Sequence, residues 1–170
     1  MNQVIFTFSA LLLWGSCHAK SNIDTSQYTV IKYGSFRTYD GAKPTTLSQN
    51  EISEIEFLLK EAIQKYNADS LHKSKIMGLD KYKLQFVPRI NNKGEKEVWV
   101  NSFCETGGHN WKKELILVED GGNCYFDLDI NLTTKQYYGL GIGAYAFDDI
   151  FPLSSKFKSS LYYILINEIV

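Results

Sequence analysis

Residues 118–132 read Val-Glu-Asp-Gly-Gly-Asn-Cys-Tyr-Phe-Asp-Leu-Asp-Ile-Asn-Leu. Asp120-Gly121-Gly122-Asn123 has the composition of a turn. Beyond it Cys124, Phe126, Leu128, Ile130 and Leu132 alternate with Tyr125, Asp127, Asp129 and Asn131. A period of two belongs to a half-buried strand. The apolar set is assigned to a core. Asp127, Asp129 and Asn131 are assigned to the solvated side of a sheet whose other face packs on a helix.

The same period holds upstream. Tyr82, Leu84, Phe86 and Ile90 alternate with Lys83, Gln85 and Arg89, and Asn92-Lys93-Gly94 supplies a hairpin turn. Pro88 lacks an amide donor, which predicts an edge strand or a bulge. Val98, Val100, Ser102 and Cys104 then share one face, with Trp99, Asn101 and Phe103 on the other. Residues 105–110 read as a loop, and Trp111 to Val118 as a further strand.

Before the strands comes a helix. Ser48 and Glu51 form an S-x-x-E capping box, and Leu47 with Ile52 a hydrophobic staple. Ile52, Ile55, Leu59, Ala62, Ile63 and Tyr66 fall at helical spacing and predict a helix over about 49–67. Glu51, Glu54, Glu56, Lys60, Glu61 and Lys65 are assigned to its solvated side. Tyr28 to Tyr39 is rich in β-branched and aromatic residues and reads as a first strand. The expected architecture is α+β: one long helix across an antiparallel meander of four to five strands, a cystatin-like or NTF2-like roll.

The first nineteen residues contain no Asp, Glu, Lys or Arg, and Val4 to Trp14 is an apolar run of 11 residues. That is the length of a signal-peptide core and too short to span a bilayer. Residues 1–19 are therefore expected to be a signal peptide cleaved after Ala19, residues 20–146 one domain, and residues 147–170 a C-terminal extension ending in an apolar segment that adds a strand. Cys17 offers a second outcome, lipidation, and membrane attachment is expected only with it. Of the three cysteines, Cys104 and Cys124 then remain. In an exported chain an even pair reads most simply as a disulfide, closing a loop of about 20 residues worth roughly 3 kcal/mol. The alternatives are two buried thiols or an incomplete metal site beside His109.

No motif carries strong chemistry. Asp127-Leu128-Asp129 matches a metal-binding D-x-D but has no nucleotide-binding fold around it. The glycines at 139, 141 and 143 lack the strand–helix context of a dinucleotide loop and read as a bulged strand. Asp120 begins no EF-hand. His72 and His109 sit in loops, where either has the chemistry of a general base but no identified partner. Asn131-Leu132-Thr133 is a sequon without meaning in a bacterial periplasm. No cofactor and no metal is expected. The net charge of −1 gives no basic excess, so no nucleic acid is expected as a partner.

The segments Trp99-Val100-Asn101-Ser102-Phe103-Cys104 and Asp120-Gly121-Gly122-Asn123-Cys124-Tyr125-Phe126 are specific enough to compare. Over about residues 47–146 the chain resembles uncharacterised small exported proteins and lipoproteins of Bacteroidota-type bacteria. The resemblance implies export, the paired cysteines and a helix-plus-sheet domain, and it implies no activity. Beyond Ala146 the chain departs from that pattern.

The functional expectation is an exported, non-enzymatic binding module. Trp99, Phe103, Tyr125, Asp127 and Asp129 would form its sheet face toward a protein or glycan, unless the first strand or the C-terminal tail covers that face. Two alternatives stand beside it: an NTF2-like pocket for a small ligand or a simple hydrolysis, and a structural accessory protein of the cell envelope.

Overall fold

The structure is a computed structural model, and it describes residues 23–34, 41–118 and 121–143. The signal segment, Cys17 and the extension after residue 146 lie outside them. The elements are β1 (Tyr28–Val30), β2 (Lys43–Pro44), α1 (Gln49–Ala68), β3 (Lys83–Ile90), β4 (Lys96–Phe103), β5 (Tyr125–Asn131) and β6 (Gln136–Ile142). One-turn 3₁₀ helices precede β3 and β5.

The capping box starts α1. The Glu51 amide donates to the Ser48 hydroxyl at 3.3 Å, and the Ser48 amide donates to the Glu51 carboxylate at 2.7 Å. Two otherwise orphaned donors are thereby satisfied. Leu47 packs against the core just before the cap. At the other end Asn67 donates to the Ile76 carbonyl and accepts from its amide, both at 2.8 Å, fastening the connection that follows. Ile52, Ile55, Leu58, Leu59, Ala62 and Ile63 bury the helix on Leu84, Phe86, Val98, Val100, Phe126, Leu128 and Ile130. Ile55, Leu59, Phe86 and Phe126 have no exposure, so side chains fill the space between helix and sheet. One assignment on α1 changes. Glu56 is buried, not solvated, and accepts from the Ile23 amide at 3.2 Å and from Lys60. It ties the incoming chain to the helix.

The sheet has the order β1-β3-β4-β5-β6, with β2 also on β3. β3 to β6 form the expected antiparallel meander, whereas β1 runs parallel to β3. The first strand is shorter than expected: it ends at Val30, and residues 35–39 of the expected span lie outside the described residues. Pro88 does not mark an edge, because β3 is internal. It stands where β3's neighbour changes from β1, paired through Phe86, to β2, paired from Arg89. A missing donor is tolerated at such a break in the ladder. The glycine-rich strand is bulged as expected. Asp127 pairs with Gly141 and Asp129 with Tyr138, leaving an extra residue on β6 where Gly139 takes φ +67°.

Trp111 to Val118 is not a strand. It begins as turns and continues without regular structure, folded over the sheet face away from α1. One face of the sheet is therefore covered by the helix, and much of the other by an irregular strap and by Ile31 and Tyr33.

Candidate functional site

The far face was expected to be open unless the first strand or the C-terminal tail covered it, and most of it is closed, in part by Ile31 and Tyr33 of the expected first-strand span. Trp99, Phe103, Tyr125, Asp127 and Asp129 are 4%, 1%, 5%, 3% and 8% exposed. Alternation predicts which residues share a face but cannot tell whether a later segment returns to cover it. Phe103 and Tyr125 pack beneath Ile116, Trp111 and Val118, and Trp99 beneath Ile31, Tyr33 and Leu115.

The polar residues of this face hold the strap. Gln85 donates to the Trp111 and Glu114 carbonyls at 2.6 Å and accepts from the Ile116 amide at 3.0 Å. Asn101 donates to Gln85 at 2.9 Å and to the Ile116 carbonyl at 2.7 Å. The Tyr125 hydroxyl donates to Asn101 and reaches the Ile116 carbonyl at 3.1 Å. Burial, and next the Asp127 charge, push that phenol well above its ordinary pKa, so it remains a donor. Asp127, buried on this face, accepts the Trp99 indole N–H at 2.7 Å. These side chains supply the partners that a neighbouring strand would give the strap backbone.

Cys104 and Cys124 are joined as a disulfide, with Cα atoms 5.1 Å apart. The Cys104 amide donates to the Cys124 carbonyl at 3.0 Å, so the bond closes the strap where β4 ends and β5 begins. Gly121 keeps this corner tight: a Cβ there would lie 2.6 Å from that of Tyr125.

The open part of the face lies at the other end, beside the β3–β4 and β5–β6 turns. Two clefts of about 320 and 330 Å³ meet there along Asn91, Glu97 and Tyr138. Strand register builds their floor. One row across the sheet is Arg89, Glu97, Asn131 and Gln136; the next is Val87, Trp99, Asp129 and Tyr138. The buried Arg89 guanidinium donates through Nη2 to Glu97 at 2.8 Å and Asp129 at 2.9 Å. The other Glu97 oxygen accepts from Asn91 and from the Tyr138 hydroxyl, each at 2.9 Å. Burial, reinforced by the Asp129 and Glu97 charges, pushes the Tyr138 phenol far above its ordinary pKa. Its residue nevertheless keeps 45% exposure, so part of it borders solvent.

Glu95 stands on the rim. One carboxylate oxygen accepts from Asn91 at 2.9 Å and Asn131 at 3.0 Å, and these bonds hold the carboxyl below its ordinary range. Its second oxygen makes no hydrogen bond among the described residues. The same holds for the Thr134 hydroxyl, the Gln136 carboxamide and the Lys93 ammonium, which line the same cleft. The exposed groups are thus donors and acceptors without hydrogen-bond partners among the described residues, above a floor in which Arg89 pairs with Glu97 and Asp129.

Of the expected site residues only Asp129 reaches this cleft. Arg89, Asn91, Glu95, Glu97, Asn131 and Tyr138 were not singled out. A signal did exist, since Arg89 and Glu97 stand symmetrically about Lys93, the middle of the hairpin turn, which places opposite charges across from each other. The sequon asparagine is closed to modification in the folded chain: Asn131 is buried, and its side-chain oxygen Oδ1 accepts from the Thr133 and Thr134 amides at 3.0 Å. His72 stacks on Tyr66, with ring centroids 3.8 Å apart, and His109 faces Glu114 from the exposed loop at 3.6 Å. Neither lies in the cleft. No group able to hold a metal ion occurs among the described residues, and no helix among them is long and apolar enough to cross a membrane.

No family model, curated protein or solved structure matches the chain.

Proposed function

We propose that the protein is an exported binding module whose cleft, at the turn end of the far sheet face, takes a glycan. The observation that carries this reading is the partition of polar atoms. Arg89, Glu97 and Asp129 are engaged with one another in the floor, while Glu95, Thr134 and Gln136 offer donors and acceptors beside the half-exposed Tyr138. Apolar small molecules favour pockets lined mainly by apolar groups. A hydroxyl-rich ring instead needs planar carboxylates and carboxamides at its edge and an aromatic at its face. The size fits a saccharide unit or two, since ligand pockets generally begin near 300 Å³. Export is supported by the disulfide, which persists in oxidising compartments.

The test is an amide-resolved NMR titration of the oxidised protein with a panel of neutral soluble oligosaccharides. Shifts are expected at Asn91, Glu95, Asn131, Gln136 and Tyr138, and Tyr138→Ala or Gln136→Ala should abolish them. A panel that leaves these amides unmoved, or moves only amides elsewhere, refutes the cleft as a glycan site.

A further inference from the structure

We infer that the cleft selects by charge for a glycan unit bearing a protonated amine, with Glu95 as the specificity-determining carboxylate; this rests on the glycan reading above. Among the described residues, three carboxylates, Glu95, Glu97 and Asp129, border the joined clefts against two cations, Arg89 and Lys93. The Arg89 charge is committed to Glu97 and Asp129 in the floor. Lys93 forms no ion pair with Glu95 among the described residues and lies on the exposed turn. Glu95 is therefore the excess negative charge at the mouth.

Glu95 is also fixed in place. Its backbone amide donates to the Asn91 side-chain oxygen Oδ1 at 2.9 Å, while the Asn91 and Asn131 side-chain carboxamides, through Nδ2, hold one of its carboxylate oxygens. Asn131 is in turn anchored by the turn amides of Thr133 and Thr134. The remaining oxygen is consequently presented in one orientation, and little side-chain freedom is left to lose on binding. The two carboxamide bonds also keep the group ionised through the mildly acidic range. A ligand ammonium placed there forms a charge-assisted bond, stronger than the neutral bond a hydroxyl or N-acetyl group forms. A uronic or sulfated unit would bring like charge to the same oxygen and is disfavoured.

The experiment compares three trimers against the oxidised protein: glucosamine, N-acetylglucosamine and galacturonic acid, with dissociation constants read from cleft amide shifts. The glucosamine trimer should bind roughly twofold to fivefold tighter than its acetylated counterpart, the effect of a solvent-exposed charge pair at low salt, and the advantage should shrink as salt is raised. In Glu95→Gln the amine preference should vanish; the substitution keeps an acceptor for Asn91 and Asn131, and a spectrum unchanged away from the cleft confirms the fold. Equal affinity for both trimers in the native protein overturns the selectivity while leaving glycan binding intact. So does a preference that survives in Glu95→Gln. If no trimer moves the cleft amides, the glycan reading fails and this inference falls with it.

Discussion

Arg89 is the residue on which the cleft floor depends. It is 2% exposed, and two buried carboxylates lean on it. Breaking a buried ion pair from one side leaves uncompensated charge, a far larger loss than that of a surface pair. Arg89→Met should therefore cost about 3–5 kcal/mol in urea-induced unfolding near neutral pH. A loss under about 1 kcal/mol, the range of a surface ion pair, would show that Glu97 and Asp129 find other compensation. The same reasoning explains what the sequence concealed. Gln85, Arg89, Asn101, Asp127 and Asp129 all alternate with core residues, and on pattern alone that describes a wet face. The burial of Gln85 and Asn101 depends on the strap, whose return over the sheet is set by hydrogen bonds to these two side chains. Such bonds leave no periodic trace in a sequence. Glu56 was misassigned for a related reason, its partner at Ile23 lying 33 residues away.

Elements whose formation is local were legible. The cap, the staple and the apolar stripe lie within twenty residues, and α1 spans Gln49–Ala68 against an expected 49–67. β3, β4 and β5 followed from their alternation, whereas Trp111 to Val118 mimicked a strand because it also needs one inward side. The cap yields a pH prediction. Burial pushes the Glu51 carboxyl up, but the Lys96 ammonium at 2.6 Å and the Ser48 bonds outweigh it, so the net pKa is lowered. A depressed folded-state value means the contribution is complete above the unfolded value, roughly 4.3, and is lost as pH falls through the lower folded value. Glu51→Ala should accordingly destabilise the protein at neutral pH and converge on the native chain in acid. Ser48→Ala removes the hydroxyl partner directly and should cost about 0.5–2 kcal/mol. Urea midpoints compared across pH decide this: a Glu51→Ala deficit that does not narrow in acid would mean the ionised carboxylate is not what stabilises the cap.

At the scale of the whole molecule, three strands serve two unlike layers. β3, β4 and β5 carry the helix-side core on one face and the strap-side clusters on the other. The helix layer rests on a continuous set of fully buried aliphatic and aromatic side chains. The strap layer is smaller and hangs on Gln85, Asn101, Tyr125 and the disulfide. Trp99 and Trp111 report on the strap side, while far-UV circular dichroism follows α1 on the other. With the disulfide formed, and Trp14 replaced by Phe to remove its signal, the two probes should trace one urea transition, as a cooperative domain of this size does. Reduction reopens a loop with a sequence separation of 20, a loss of roughly 3 kcal/mol in the chain-entropy model. The loss falls on the layer with fewest apolar contacts and no backbone ladder of its own, the kind of region that opens locally first. The fluorescence transition should then precede the helix transition, with amides of 111–118 exchanging faster while those of α1 remain protected. Coincident transitions in the reduced protein would show instead that Gln85, Asn101 and Tyr125 suffice to hold the strap and that the disulfide stabilises the domain as a whole. If the helix melted first, the ranking of the two layers would be reversed.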